Sequence, residues 1–159
     1  MAARQRGCLM TWLSVFGDLR HDTRAELEVL QSRVVPRGVD LFSHGDRAHS
    51  FPVVLSGRID VSLTGPSGRE ILLYSVEAGQ SCIQTTLGLL GDEPYSGVAT
   101  TVAETEVIRI PKPMFLRVMD SDPAFRGFVL RSFGQRMGDL TRLLGAVACG
   151  RVDARVARG

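Results

Sequence analysis

The sequence is poor in the residues that build metal and redox centres. Its three cysteines, Cys8, Cys82 and Cys149, are odd in number, far apart and without C-x-x-C spacing. That pattern argues against a zinc site or disulfide framework and fits a reducing cytoplasm. The three histidines, His21, His44 and His49, form neither an H-E-x-x-H helix nor an H-x-H strand pair, so no metal ligands are assigned. Paired acid and base, nucleophile with its base, and metal triad are all missing; no catalytic residue is assigned and the chain reads as a non-enzyme. No window approaches the roughly 18 apolar residues of a membrane span. The apolar run over residues 8–16 is short, broken by Thr11 and Ser14, and lacks the A-x-A site of a secretory signal.

What is present is an ordinary globular composition. With 159 residues, 44% hydrophobic and 23% charged, disorder is excluded and one core is expected, burying roughly two-thirds of the unfolded surface. The net charge of +2 is unevenly spread: residues 1–108 carry nine Arg against thirteen acids, and residues 109–159 ten Lys/Arg against four Asp. Such a basic C-terminal end is either the solvated face of an amphipathic helix or a nucleic-acid-facing surface.

Residues 22–30 read as a short helix with Asp22 or Thr23 as N-cap. From Val39 the period becomes two. A strand at Val39 and Leu41 is followed by a turn at His44-Gly45-Asp46 and a strand over 51–55, whose Pro52 marks it as an edge. Residues 58–64 alternate most cleanly, with Ile59, Val61 and Leu63 facing the core, and Gly65-Pro66-Ser67-Gly68 turns the chain back into a strand over 69–76. Strands over 95–102 and 106–110 complete an antiparallel barrel or sandwich. At Pro111 the period changes again: a short helix over 113–119, then a long helix with Asp122 as N-cap and Pro123 at its first position.

Residues 77–110 hold the compact place for a ligand: a turn at Ala78-Gly79, a small polar run, an apolar turn over 87–90, a loop with Gly91 and Pro94, then two strands. The candidate ligand-binding residues are Gly79, Cys82, Ile83, Gln84, Thr85, Thr86, Tyr95 and Ser96. Backbone N–H groups at the start of the 87–90 turn are expected to cradle an anion and Gln84 to bond a hydroxyl. Cys82 is either a redox or thiol-reactive sensor or a buried small hydrophobe. In the long helix Leu130, Phe133, Met137, Leu140, Leu144 and Val147 are spaced three, four, three, four, three. That a/d seam meets a second helix of its own kind in a homodimer or, alternatively, packs on its own barrel. Each such side chain contributes roughly 1.5–3 kcal/mol on full burial, too much to leave in water.

Four short motifs carry a family resemblance. Phe42-Ser43-His44-Gly45-Asp46 is similar to F-x-x-G-D, Val53-Val54-Leu55-Ser56-Gly57-Arg58-Ile59 to V-L-x-G-x-[VI], Gly68-Arg69-Glu70 to G-[RK]-E, and Glu77-Ala78-Gly79-Gln80 to P-G-[DE]. In this order, and followed by a short and a long helix, residues 25–158 resemble the effector domain of the Crp/Fnr family of bacterial transcription regulators, which share a cyclic nucleotide-binding fold. The resemblance implies an α+β, mainly β fold: an antiparallel jelly-roll barrel with short N-terminal helices and a long C-terminal dimerisation helix. It implies an effector domain over 1–120, a dimerisation helix over 121–150, and in 151–159 the start of a winged helix-turn-helix that the chain does not contain. Either the chain is truncated or it is a regulator without its reader head.

In the family, residues 77–110 correspond to the phosphate-binding cassette. Cyclic-AMP-binding members carry there a Gly-Glu pair for the ribose and an Arg-Ser pair for the cyclic phosphate. Here Ile83-Gln84 and Tyr95-Ser96 stand near those places. A hydrogen bond to a charged group is worth about 1.5–3 kcal/mol, so the missing carboxylate and guanidinium disfavour a cyclic nucleotide, and the ligand stays unknown. The clustered N-terminal cysteines of iron–sulfur members are absent too. The implied function is effector sensing and dimerisation in a cytoplasmic regulator. A small-molecule or redox signal would alter dimer-helix packing and so control DNA binding by a C-terminal domain, with no membrane involved. The alternative is a free-standing effector-binding module that acts on a protein partner.

Overall fold

The computed structural model describes residues 12–158; Cys8 and most of the N-terminal apolar run lie outside them. A 3-10 turn at Leu13–Phe16 and helix α1 (His21–Glu28) precede β1 (Ser32–Val35), β2 (Asp40–Phe42), β3 (Ser50–Ser56), β4 (Arg58–Thr64) and β5 (Glu70–Glu77). Helix α2 (Ile83–Gly91) separates these from β6 (Val98–Thr101) and β7 (Thr105–Pro111), and α3 (Lys112–Ser121) and α4 (Pro123–Arg158) close the chain. The strands pair antiparallel in two sheets, β1-β7-β3 and β2-β6-β4-β5. This is the mainly β fold with a long C-terminal helix that the sequence led us to expect, and β3, with Pro52, is an edge strand.

Strands β3 and β7 divide the interior into two cores, because successive side chains of a strand point to opposite faces. Phe51 and Val53 of β3, with Ile108 and Ile110 of β7, face the helices and join Trp12, Leu13, Phe16, Phe115 and Phe125. Val54 and Val107 face the other way, into the space between the sheets with Ile59, Val61, Val76 and Ala99. The register sets Pro52 opposite Arg109 and Val54 opposite Val107, so Arg109 stands on the same inner side as Val107. Between β3 and β4 the chain reverses at Gly57, with φ of +87° and Thr105 Cα only 2.7 Å from where a Cβ would sit. Only glycine fits that turn without strain.

The cap of α4 forms as read from the sequence. Asp122 is fully buried; its Oδ1 accepts the N–H groups of Ala124 (2.9 Å) and Phe125 (3.1 Å), and its Oδ2 the N–H of Arg20 (2.9 Å). Burial alone would raise the carboxyl pKa, but the Arg20 and Phe125 N–H groups, the Thr23 hydroxyl and the Ala124 N–H outweigh it and hold the pKa below the usual carboxylate value.

Several local expectations are corrected. Strand β1 was not foreseen, since Ser-Arg-Val-Val shows no alternation; it forms because β7 supplies a pairing edge. Helix α1 starts at His21 with no side-chain cap, and Asp22 lies in its first turn, where it accepts the Thr23 N–H at 3.0 Å. The strand expected over 95–102 shortens to β6, because Tyr95 is bound instead to the 43–46 turn. The apolar turn over 87–90 is the second half of a nine-residue helix that begins at Ile83. The backbone of α4 is helical through residues 151–158.

Candidate functional site

The space between the two sheets is not filled. A cavity of about 240 Å³ remains, walled by Val54, Ile59, Val76, Ala99 and Val107 and floored by Cys82 and Thr85 of the α2 segment. Its mouth is built by the F-x-x-G-D turn. Asp46 folds the turn by accepting the Ser43 N–H (2.9 Å), and Gly45 supplies the positive φ of +88°. Two backbone bonds of 2.8 Å, from Gly45 N–H to Tyr95 O and from Tyr95 N–H to Asp46 O, tie the turn to the loop after α2. Phe42 then lies flat on Tyr95, ring centroids 3.7 Å apart and 5° from parallel. Arg47 and Arg109 stand at the same mouth.

Of the predicted ligand residues, the structure brings Cys82, Thr85 and Tyr95 to the cavity. Tyr95 donates to Thr85 Oγ1 (3.4 Å); burial pushes its phenol pKa up, against the Thr85 hydrogen bond and the Arg109 charge, which lower it. The others are elsewhere. Gln84 is buried outside the cavity lining, and its Oε1 accepts the Gly97 N–H (3.1 Å), which ties α2 to the start of β6. Thr86 donates to Cys82 O (3.1 Å), Ile83 is in the barrel core, Gly79 forms a turn with φ of +77°, and Ser96 is exposed outside the cavity. The place of the expected anion cradle is set by α2, which starts at Ile83. The first N–H groups belong to α2 at Ile83 and Gln84, and there Gln84 N–H donates to the Tyr74 hydroxyl (3.3 Å). Tyr74, from β5, occupies that position. Burial, and then the neighbouring Cys82, raise its phenol pKa and keep it neutral.

Tyr74 also connects the cavity to α4. Its hydroxyl lies 3.4 Å from Cys82 Sγ, and the Arg136 guanidinium sits 5.6 Å above its ring centroid. Arg136 in turn donates to Ser75 O (2.8 Å) and Gln80 Oε1 (2.7 Å). The predicted seam is split by this attachment. Phe133 and Leu140 pack against the barrel core, whereas Leu130, Met137, Leu144 and Val147 are 52%, 41%, 69% and 52% exposed.

Sequence reasoning missed Phe42 and Arg109 as site residues. Arg109 had a readable signal: in Val107-Ile108-Arg109-Ile110 it shares the face of Val107 by the period of two, so it is a charge on an apolar strand.

Among the described residues no helix is long and apolar enough to cross a membrane. The family model for the cyclic nucleotide-binding domain matches residues 32–122. A CRP-like cAMP-activated global transcriptional regulator of Mycobacterium tuberculosis is 25% identical over 129 residues, covering 81% of this chain and 57% of that protein. The chain thus spans little more than half the length of this relative. The crystal structure of Thermus thermophilus catabolite activator protein superposes with a TM-score of 0.70 at 21% identity, covering 84% of this chain and 62% of that one. A structure assigned to the Crp/Fnr family from Eubacterium rectale gives 0.76 at 18% identity, covering 92% and 68%. The fold and the family match agree: the chain belongs to the cyclic nucleotide-binding domain family.

Proposed function

We propose that this chain is the effector-sensing and dimerisation part of a cytoplasmic Crp/Fnr-type regulator. A small molecule or redox signal in the barrel cavity shifts the packing of α4 and thereby controls DNA binding by a C-terminal domain. The observation that carries this reading is the double role of α4. One side is held to the cavity wall through Arg136, Tyr74 and Cys82. Another side presents Leu130, Met137 and Leu144, seven residues apart and exposed, the repeat with which two helices pair. Whatever displaces Cys82 or Thr85 moves the tether, and the tether biases the helix that a second copy would meet; that is coupling of two sites through one element.

Against carrying over the ligand of the relative named as cAMP-activated are the Tyr74 hydroxyl, which takes the Gln84 N–H at the head of α2, and the lack of an arginine in residues 83–97. Sedimentation velocity at micromolar concentration tests the reading. A dimer is expected, and Met137→Glu with Leu144→Glu should give a folded monomer. A wild-type monomer under those conditions would remove the mechanism and favour the free-standing module that acts on a protein partner.

A further inference from the structure

We propose that the barrel cavity takes a small monocarboxylic acid with an apolar body, its carboxylate held by Arg109. This rests on the effector-sensing reading above and gives the chemical class of the ligand for that site. The size of the cavity, about 240 Å³, is below the roughly 300–1,000 Å³ of sites for drug-sized ligands, which restricts the occupant to a small molecule. Its walls at Val54, Ile59, Val76 and Ala99 offer only apolar contact. The Thr85 and Tyr95 hydroxyls are bonded to each other, and the other polar lining groups, His49 and Ser50, belong to the β3 side with Arg47, so the apolar end of the space suits an apolar body.

The charges at the mouth select the head group. Asp46 is engaged by the Ser43 N–H in its own turn. Arg47 is held by Asp92, at 3.2 Å from the carboxylate and 3.1 Å from the backbone carbonyl, and shares that carboxylate with Lys112 at 3.4 Å. The Arg109 guanidinium makes no hydrogen bond or ion pair among the described residues; with Arg47 and Lys112 both on Asp92 and Asp46 an anion, the mouth keeps a net single positive charge. A single negative charge matches it, whereas a dianion would bring a second charge with no partner. The planar guanidinium fork fits a carboxylate through two parallel hydrogen bonds. Access is provided as well: Arg109, Val107 and Leu41 also line an outer groove of about 670 Å³ between β1 and β2, so the arginine stands where outside and inside meet. This location differs from the N-terminus of α2, which Tyr74 fills.

Calorimetric titration of the full chain with benzoate and hexanoate, and with benzyl alcohol and hexanol as neutral counterparts, tests the assignment. The acids should bind at least about tenfold more tightly than the alcohols. Arg109→Gln should weaken the acids by about tenfold and leave the alcohols unchanged, and Arg109→Lys should recover part of the loss. Arg109 is exposed at the mouth, so both variants are expected to fold, which an unchanged melting temperature without ligand would verify. Equal binding of acid and alcohol, no binding of either acid, or an acid affinity indifferent to Arg109→Gln would each overturn the proposal. If cyclic AMP alone raises the melting temperature, the carboxylate assignment falls and the sensing reading stands. If the acids bind through Arg109 but the sedimentation of the dimer never responds, the assignment stands and the coupling to α4 falls.

Discussion

The two cores share β3 and β7 and are filled in opposite ways. On the helix side, aromatic rings interlock: Phe51 with Phe115 at 4.9 Å, Phe16 with Phe125 at 4.9 Å and with Phe128 at 4.8 Å. On the barrel side, valines, an alanine and a cysteine leave a cavity between the sheets. The same two strands therefore give Phe51, Ile108 and Ile110 to the helix side and Val54 and Val107 to the barrel side. The difference separates two tasks. A densely packed core resists change of even one methylene and fixes α3 and the start of α4, while the open core keeps space whose occupation can be transmitted.

The largest expected effect lies in the filled core. Phe125→Ala removes a buried ring from the centre of the aromatic cluster and should cost about 3–5 kcal/mol, read as a lowered denaturant midpoint. A loss below about 1 kcal/mol would mean that the aromatic core is as loosely filled as the barrel, and the contrast would be broken.

Next comes the turn that joins β3 to β4, the sheet-to-sheet crossing on which both cores depend. Gly57→Ala puts a Cβ against Thr105 at a positive φ, and the expected cost is about 2 kcal/mol or more. The loss should appear equally in probes of both cores, for example near-ultraviolet signals of the phenylalanine cluster and of Tyr74.

Asp122 sharpens the comparison from the helix side. Asp122→Ala should cost about 1–2 kcal/mol as a lost N-cap. Because its folded pKa lies below the ordinary value, the wild-type carboxylate contributes fully above about pH 4. That contribution is lost as pH falls through the lowered folded value. Acid titration of stability should thus show a fall for the wild type that is flattened in Asp122→Asn.

The smallest effect on stability is expected in the barrel. Ala99→Ile extends a side chain into open cavity, so the cost of about 1–3 kcal/mol usual for overpacking should be absent, with a change below about 0.5 kcal/mol. Binding of any cavity ligand should be lost in the same variant. A strong destabilisation would show that the cavity is not free space.

Much of the fold was legible because its signals are local. Alternation marked β4 and β7, Pro52 marked an edge, and Asp122-Pro123 marked the start of α4, all without knowledge of distant partners. β1 was not legible, since four residues without alternation become a strand only when β7 is alongside. Cys82, Thr85 and Tyr95 line the cavity, and the sequence pointed to them because they lie in a stretch rich in small polar groups. The placing of Gln84 was not legible: a buried amide and a ligand-binding amide look alike in sequence, and here its Oε1 meets the Gly97 N–H. The apolar seam was legible as a repeat, but not its division between the barrel and the exposed side.

By itself, the sequence determined strand periodicity, the glycine turns, the cap of the long helix and the apolar repeat along it, because each depends on φ preferences or on residues a few positions apart. Only the tertiary structure decided which polar groups satisfy one another, that Tyr74 stands at the head of α2, and that the Arg109 guanidinium has no ion-pair partner among the described residues at the mouth of the cavity. The reason is that a buried donor bonds whichever acceptor the opposite sheet brings within about 3 Å, and the packing of two sheets is not written in any one segment.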